Sequence, residues 1–251
     1  MRGRAMKRVF PFLLVILLTL PLFGCDSKDV AEDTQGVKQD SAKAQKWYGK
    51  AVNQKIAAAQ MLLGAMYVEG KGLKRDYAKA KKWIEKAANR GNAFAQAMLG
   101  AMYFDGISVE QDYAKAKEWI EKAVEQEEEL GQVLLGIMYL EGKGVKQDYA
   151  KAKEWIEKAV KQESSLGQAL LGEMYLEGKG VERDYAKAKE WIEKAVEQEE
   201  ARGQALLGSM YSEGKGVRRN YVKAKELFRK SCDNGLQPAC DEYKKLVARG
   251  K

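Results

Sequence analysis

Histidine is missing altogether from the 251 residues, and proline and cysteine occur only three times each. Without histidine the commonest general base and metal ligand is gone, which excludes Ser-His-Asp triads and histidine-liganded zinc. No metal or cofactor is expected. So little proline, beside 45% hydrophobic and 32% charged residues, does not fit a disordered chain, because enough apolar surface exists to offset the entropy of ordering. A long membrane-spanning run is also wanting. The apolar stretch from Val9 to Phe23 holds 15 residues and contains Pro11 and Pro21, short of the roughly 20 that a spanning helix needs.

Arg2, Arg4, Lys7 and Arg8 precede that stretch, so residues 1–24 read as a charged n-region and an h-region of an export signal. Lysine and arginine total 44 against 36 acidic residues, a net charge of +8. The leader holds four of those bases and no acid, which leaves +4 behind it. Nucleic acid is therefore not an expected partner. Leu22-Phe23-Gly24-Cys25 resembles the lipobox of bacterial lipoproteins, in which the cysteine is lipidated and becomes the first residue. Phe23 departs from the small residue usual there. An ordinary signal peptide and an uncleaved anchor are the alternatives. The resemblance implies lipid at Cys25, and two or three acyl chains hold a protein permanently at a membrane. Asp26 resembles the signal that keeps lipoproteins in the inner membrane of Gram-negative bacteria, with outer-membrane placement or secretion as alternatives. Residues 25–39 are then the lipidated cysteine and a polar tether of roughly 20 Å mean reach.

From residue 40 to 251 self-similarity dominates. Asp112-Tyr-Ala-Lys-Ala-Lys-Glu-Trp119-Ile120 returns at Asp148 and at Asp184, and Asp40, Asp76 and Asn220 occupy the same frame, a period of 36. Residues 112–147 and 148–183 agree at 29 of 36 positions. A phase below denotes a residue number together with its counterparts one or more periods away. In the first helical pattern of each unit, a small residue at phase 59 precedes leucine at phase 63, glycine at 64, methionine at 66 and tyrosine at 67. Small residue, leucine and tyrosine fall on one face of a helix. Glycine inside a helix costs about 1 kcal/mol relative to alanine, so Gly64, Gly100, Gly136, Gly172 and Gly208 predict close helix–helix approach. Gly70, Gly106, Gly142, Gly178 and Gly214 predict C-caps with positive φ. The second helix opens on the aspartates or Asn220 as N-caps. Its tryptophans, Trp47, Trp83, Trp119, Trp155 and Trp191, share one phase beside an apolar stripe and read as core. Lysine and glutamate on the other face form a solvated, ion-paired surface.

A helix pair of this size cannot bury its apolar face alone, so neighbours stack. The frame small-x3-Leu-Gly-x-Met-Tyr-x2-Gly-x-Gly-Val-x2-Asp-Tyr-x-Lys-Ala-x2-Trp-x3-Ala resembles the Sel-like repeat, a relative of the tetratricopeptide repeat. The resemblance covers residues 55–234 as five units, after a half unit at 36–54 and before a capping helix at 238–249. It implies an all-α, right-handed α-solenoid of stacked helix pairs. The family often has glycine in the turn between units; Gly91 and Gly235 supply it, whereas Glu127, Glu163 and Glu199 stand there in the middle units. Cys232 and Cys240 are spaced as in the cysteine-rich Sel-like proteins of bacteria, in which such pairs bridge adjacent helices. The resemblance thus implies a disulfide, with free thiols as the alternative.

Some cysteine-rich relatives are labelled β-lactamases, and Ser212-Glu213-Gly214-Lys215 satisfies a Ser-x-x-Lys pattern literally. The companion Ser-Asp-Asn and Lys-Thr-Gly elements are absent. The Gly-Lys-Gly loops lack the spacing of a phosphate cradle. Nor is the solenoid charge-sided: residues 70–75 and their four counterparts sum to +8, but adding the four aspartate N-caps and the acids at phase 69 gives −1.

The expected function is a non-catalytic, membrane-anchored scaffold of the bacterial cell envelope, monomeric, binding a protein or peptide. A hydrolase of the β-lactamase or peptidoglycan-acting class and an adaptor in polysaccharide export are the alternatives. In tetratricopeptide-like superhelices the first helix lines the concave side. Phases 61, 65 and 68 vary there and share a face. The expected contacts are Ala65, Val68, Ala101, Phe104, Ile137, Glu173, Leu140 and Leu176, with Asp105 and Glu141 as acidic neighbours and Phe104 and Leu140 as apolar anchors. The competing reading is that phase 65 drifts because it is exposed and phase 68 packs locally.

Overall fold

The computed structural model describes residues 57–69 and 74–250. First-type helices α1 (Ala57–Glu69), α3 (Ala93–Asp105), α5 (Glu129–Glu141), α7 (Ser165–Glu177) and α9 (Ala201–Glu213) alternate with second-type helices α2 (Tyr77–Ala88), α4 (Tyr113–Val124), α6 (Tyr149–Lys161), α8 (Tyr185–Glu197) and α10 (Tyr221–Asp233). Helix α11 (Gln237–Ala248) follows. No strand occurs among the described residues, and the architecture is an all-α solenoid of stacked helix pairs. The leader, Cys25, the tether, the first half unit, Trp47 and Gly70 lie outside the described residues.

Local chemistry sets the helix ends. The carboxylates of Asp112, Asp148 and Asp184 each accept two backbone N–H groups of the first turn, at 3.0–3.1 Å. Asp76 and Asn220 each accept one, at 3.0 Å. At the other type of end, Gly142 takes φ 69° and its N–H donates to the Met138 carbonyl at 2.8 Å. Glycine reaches that left-handed conformation without the steric penalty of a Cβ. Gly106, Gly178 and Gly214 repeat the arrangement.

Within a pair, a Cβ added to Gly100, Gly136 or Gly172 would lie 2.6–2.7 Å from the Cγ1 of Ile120, Ile156 or Ile192. The helices touch backbone to side chain, which is why glycine is retained despite its cost to helix propensity. Those isoleucines are fully buried. Trp119, Trp155 and Trp191 flank this core, half-buried. Each carries a lysine ammonium over its ring, Lys122, Lys158 and Lys194, at 3.7–4.2 Å.

Between pairs, a polar clamp recurs. Gln162 Nε2 donates to the Glu127 carbonyl at 3.0 Å and to Gln132 Oε1 at 3.1 Å. Gln198 does the same to Glu163 and Gln168, and Asn234 to Glu199 and Gln204. The clamped carbonyls belong to the glutamates that replace turn glycine, and Glu127, Glu163 and Glu199 take φ of 58°, 64° and 58°. A non-glycine residue there costs of order 1–3 kcal/mol unless its surroundings hold it. The following unit therefore completes each of these three turns.

Helix α11 keeps the phase of a first-type helix, with Pro238 in its first turn. Cys240 stands at the phase of the buried glutamines, and its Cα lies 4.7 Å from that of Cys232, a separation that a disulfide spans. At the phase of the packing glycines stands Lys244, exposed.

Candidate interaction surface

The structure separates the expected contact residues into two groups. Ala65, Val68, Ala101, Phe104 and Ile137 are between 1% and 4% exposed and belong to the main core cluster. They are not available to a partner, which corrects the expectation for these five. At phase 65 these side chains pack into the core cluster that also holds Leu130 and Val133, and at Phe104 the loop of the following unit covers phase 68. The Phe104 ring sits edge-on to Tyr113 at 5.4 Å, and Lys143 Nζ lies 5.1 Å from its centroid. Leu140, Glu173 and Leu176 are half-buried, Asp105 likewise, and Glu141 is exposed.

The acids along this rim are already matched. Glu141, Glu177 and Glu213 pair with Lys143, Lys179 and Lys215 at 2.5–2.6 Å. Hydrogen bonds donated to Glu177 and Glu213 hold the Lys179 and Lys215 ammonium groups above the ordinary lysine range. A raised lysine cannot serve as a base at neutral pH. The Ser212 hydroxyl meanwhile donates to the Ser209 carbonyl at 3.0 Å. Ser212 and Lys215 are therefore not arranged as a nucleophile and its activating base. Among the described residues no group of three or more Cys, Asp or Glu has the arrangement to hold a metal ion, and no helix is long and apolar enough to cross a membrane.

Residues 112–147, 148–183 and 184–219 show where closely related units differ. Their second-type helices are identical from Asp112, Asp148 and Asp184 through Val124, Val160 and Val196. In the first-type helices the differences fall at phases 57, 58, 61, 65 and 68, which form one stripe along the helix. In α5 that stripe is Glu129, Leu130, Val133, Ile137 and Leu140; in α9 it is Ala201, Arg202, Ala205, Ser209 and Ser212. Phase 58 was not among the expected contacts. Its signal lay in a paired change, since Ile137 and Leu166 in one joint become Glu173 and Arg202 in the next. Arg202 Nε donates to Glu173 Oε2 at 2.9 Å, and a second guanidinium nitrogen bonds the same oxygen.

The chain belongs to the Sel1 repeat family, which matches residues 33–55, 57–92, 93–127, 130–164, 165–199 and 201–236. That family is typically one of protein-interaction scaffolds. The crystal structure of a protective antigen of uropathogenic Escherichia coli strains is 36% identical, over 84% of this chain and 45% of that one, with a TM-score of 0.57. The chain thus spans less than half the length of that relative. A Sel1 repeat protein from Oxalobacter formigenes is 27% identical over 85% of this chain and 88% of that one, with a TM-score of 0.66. A Klebsiella pneumoniae Sel1 repeat protein is 26% identical over 80% and 98%, with a TM-score of 0.57. No protein of curated function matches.

Proposed function

We propose that this Sel1 repeat protein is a lipid-anchored scaffold of the bacterial cell envelope that holds a protein or peptide partner along the divergent stripe of its first-type helices. One observation carries the reading. Units that agree at 29 of 36 positions keep their second helix unchanged through Val124, Val160 and Val196, and within the first helix differ along a single stripe. The stripe remains partly accessible at Leu140, Leu166, Leu176, Ser209 and Ser212. Cys25 carries the lipid, residues 26–39 carry the solenoid away from the membrane, and an oxidising location closes the disulfide between Cys232 and Cys240. The periplasmic face of the inner membrane is the proposed site if the cell is Gram-negative.

Two experiments test the two halves. Photo-crosslinking in intact cells from Leu176 should trap a discrete partner band that crosslinking from Lys153, on the opposite helix type, does not trap. Equal bands from both sites would reject the stripe as the binding face. Radiolabelled palmitate should enter the chain and be lost in Cys25→Ser; labelling that persists in that variant would reject the anchor.

A further inference from the structure

We propose that the array contains an ionic joint between α7 and α9, and that α9, α10 and α11 loosen together from α7 and α8 when dissolved salt screens the Glu173–Arg202 pair. At phases 65 and 58 the joint between α5 and α7 carries Ile137 and Leu166, both packed in or against the main core. The joint between α3 and α5 carries Ala101 and Leu130, both buried. Only the next step is ionic among these three. Its side chains are 24% and 20% exposed, so water and ions reach the pair.

The division in the apolar packing lies nearby, between α7 and α8. The main cluster of buried residues runs from Met61 to Met174. Beyond it a separate small cluster of Ala188, Ile192, Leu207 and Met210 joins α8 to α9. The inner stripe also loses bulk, since Val133, Ile137 and Leu140 of α5 become Ala205, Ser209 and Ser212 in α9. Downstream of the joint the opposite holds. The Ser231 hydroxyl donates to the Ala201 carbonyl at 2.6 Å, Asn234 clamps Glu199 and Gln204, and Cys232 lies beside Cys240. These contacts bind α9, α10 and α11 to one another, whereas α9 meets α7 through the ion pair and α8 through the small apolar cluster.

In a stacked array each joint contributes its own nearest-neighbour term, so a weak joint sets where partial opening begins. Hydrogen–deuterium exchange on the full chain in non-ionic detergent tests the joint. On going from about 0.05 M to about 1 M sodium chloride, where the screening length falls to roughly 3 Å, amides of 201–248 should exchange about fivefold faster relative to those of 113–161, the change expected when an ion pair is screened. Glu173→Ile with Arg202→Leu copies the upstream joint and should abolish that salt response. Arg202→Leu alone leaves the carboxylate unmatched and should speed exchange of 201–248 already at low salt. A response spread evenly over all helices, no response, or one that survives in the double variant would overturn the proposal. So would a double variant that exchanges faster than the parent at low salt.

Discussion

Glu163 sits at φ 64° with its carbonyl clamped by Gln198, while Gly91 fills the same turn at φ 81° with open space where a Cβ would stand. Glu163→Gly should remove the Cβ penalty and keep the clamp, because the clamp uses the carbonyl alone. The extra freedom of glycine in the unfolded chain takes back part of that gain. The net result should be about 0.5–1 kcal/mol of stability, read as a higher thermal midpoint by circular dichroism. A lower midpoint would show that the glutamate side chain contributes something the turn geometry does not.

Two sets of carboxylates should respond to pH with opposite signs. Backbone N–H donors at the N-caps hold Asp76, Asp112 and Asp184 below the ordinary aspartate range. Their contribution is present above about pH 4 and is lost as the pH falls through the lowered native value. Glu128 and Glu200 are pushed up, chiefly by burial. Each stands where Ser164 caps the Gly167 N–H at 3.1 Å, and Glu128 makes no capping bond. Glu128→Ser should therefore stabilise the chain at pH 7 by about 1 kcal/mol. That advantage should shrink as the pH falls through the raised native value of Glu128 towards the unfolded value of about 4.3, because protonation relieves the parent. The gap between Asp112→Ala and the parent should shrink as well, at lower pH, because there the parent loses its cap. Urea midpoints of the three proteins across pH 7 to pH 2 would separate the two behaviours.

At the scale of the helix, the sequence carried most of the fold because each element announces itself several times over. N-caps, terminal glycines and packing glycines recur in phase, and a feature repeated five times is read against its own copies. The inner stripe was less legible. Helix α5 is buried from Leu130 through Met138, so it lacks the polar face from which exposure is normally inferred. Variation between copies then has two sources, freedom at the surface and matched change across a joint, and phases 65 and 68 contain both. Phe104 varies from its counterparts yet packs on Tyr113, whereas Leu176 is half-buried. Phe104→Ala should accordingly cost about 3–5 kcal/mol. Leu176→Ala should cost much less and weaken partner capture instead. Thermal denaturation of the two variants, with crosslinking of each, would show whether stability and binding divide between these residues.

Across the whole molecule, stability is distributed over joints and not gathered in one centre. The polar clamp makes each of the three glutamate turns depend on the following unit, with Asn234 completing the last of them. The disulfide proposed between Cys232 and Cys240 would occupy the corresponding place one unit later.

The Glu173–Arg202 pair also determines how such a gene can lengthen. An in-frame duplication of residues 112–147 would set Ile137 of one copy against Leu130 of the next and leave every later joint as it was. Duplication of residues 148–183 would instead set Glu173 against a second Leu166, a half-buried carboxylate without its guanidinium. The first insertion should give a chain that melts at or above the parent temperature. The second should melt lower, and recover when the second copy carries Leu166→Arg. Growth of the array is thus free before the pair and costly within it, so a single charged contact marks the unit at which unequal crossing-over lowers the stability of its product.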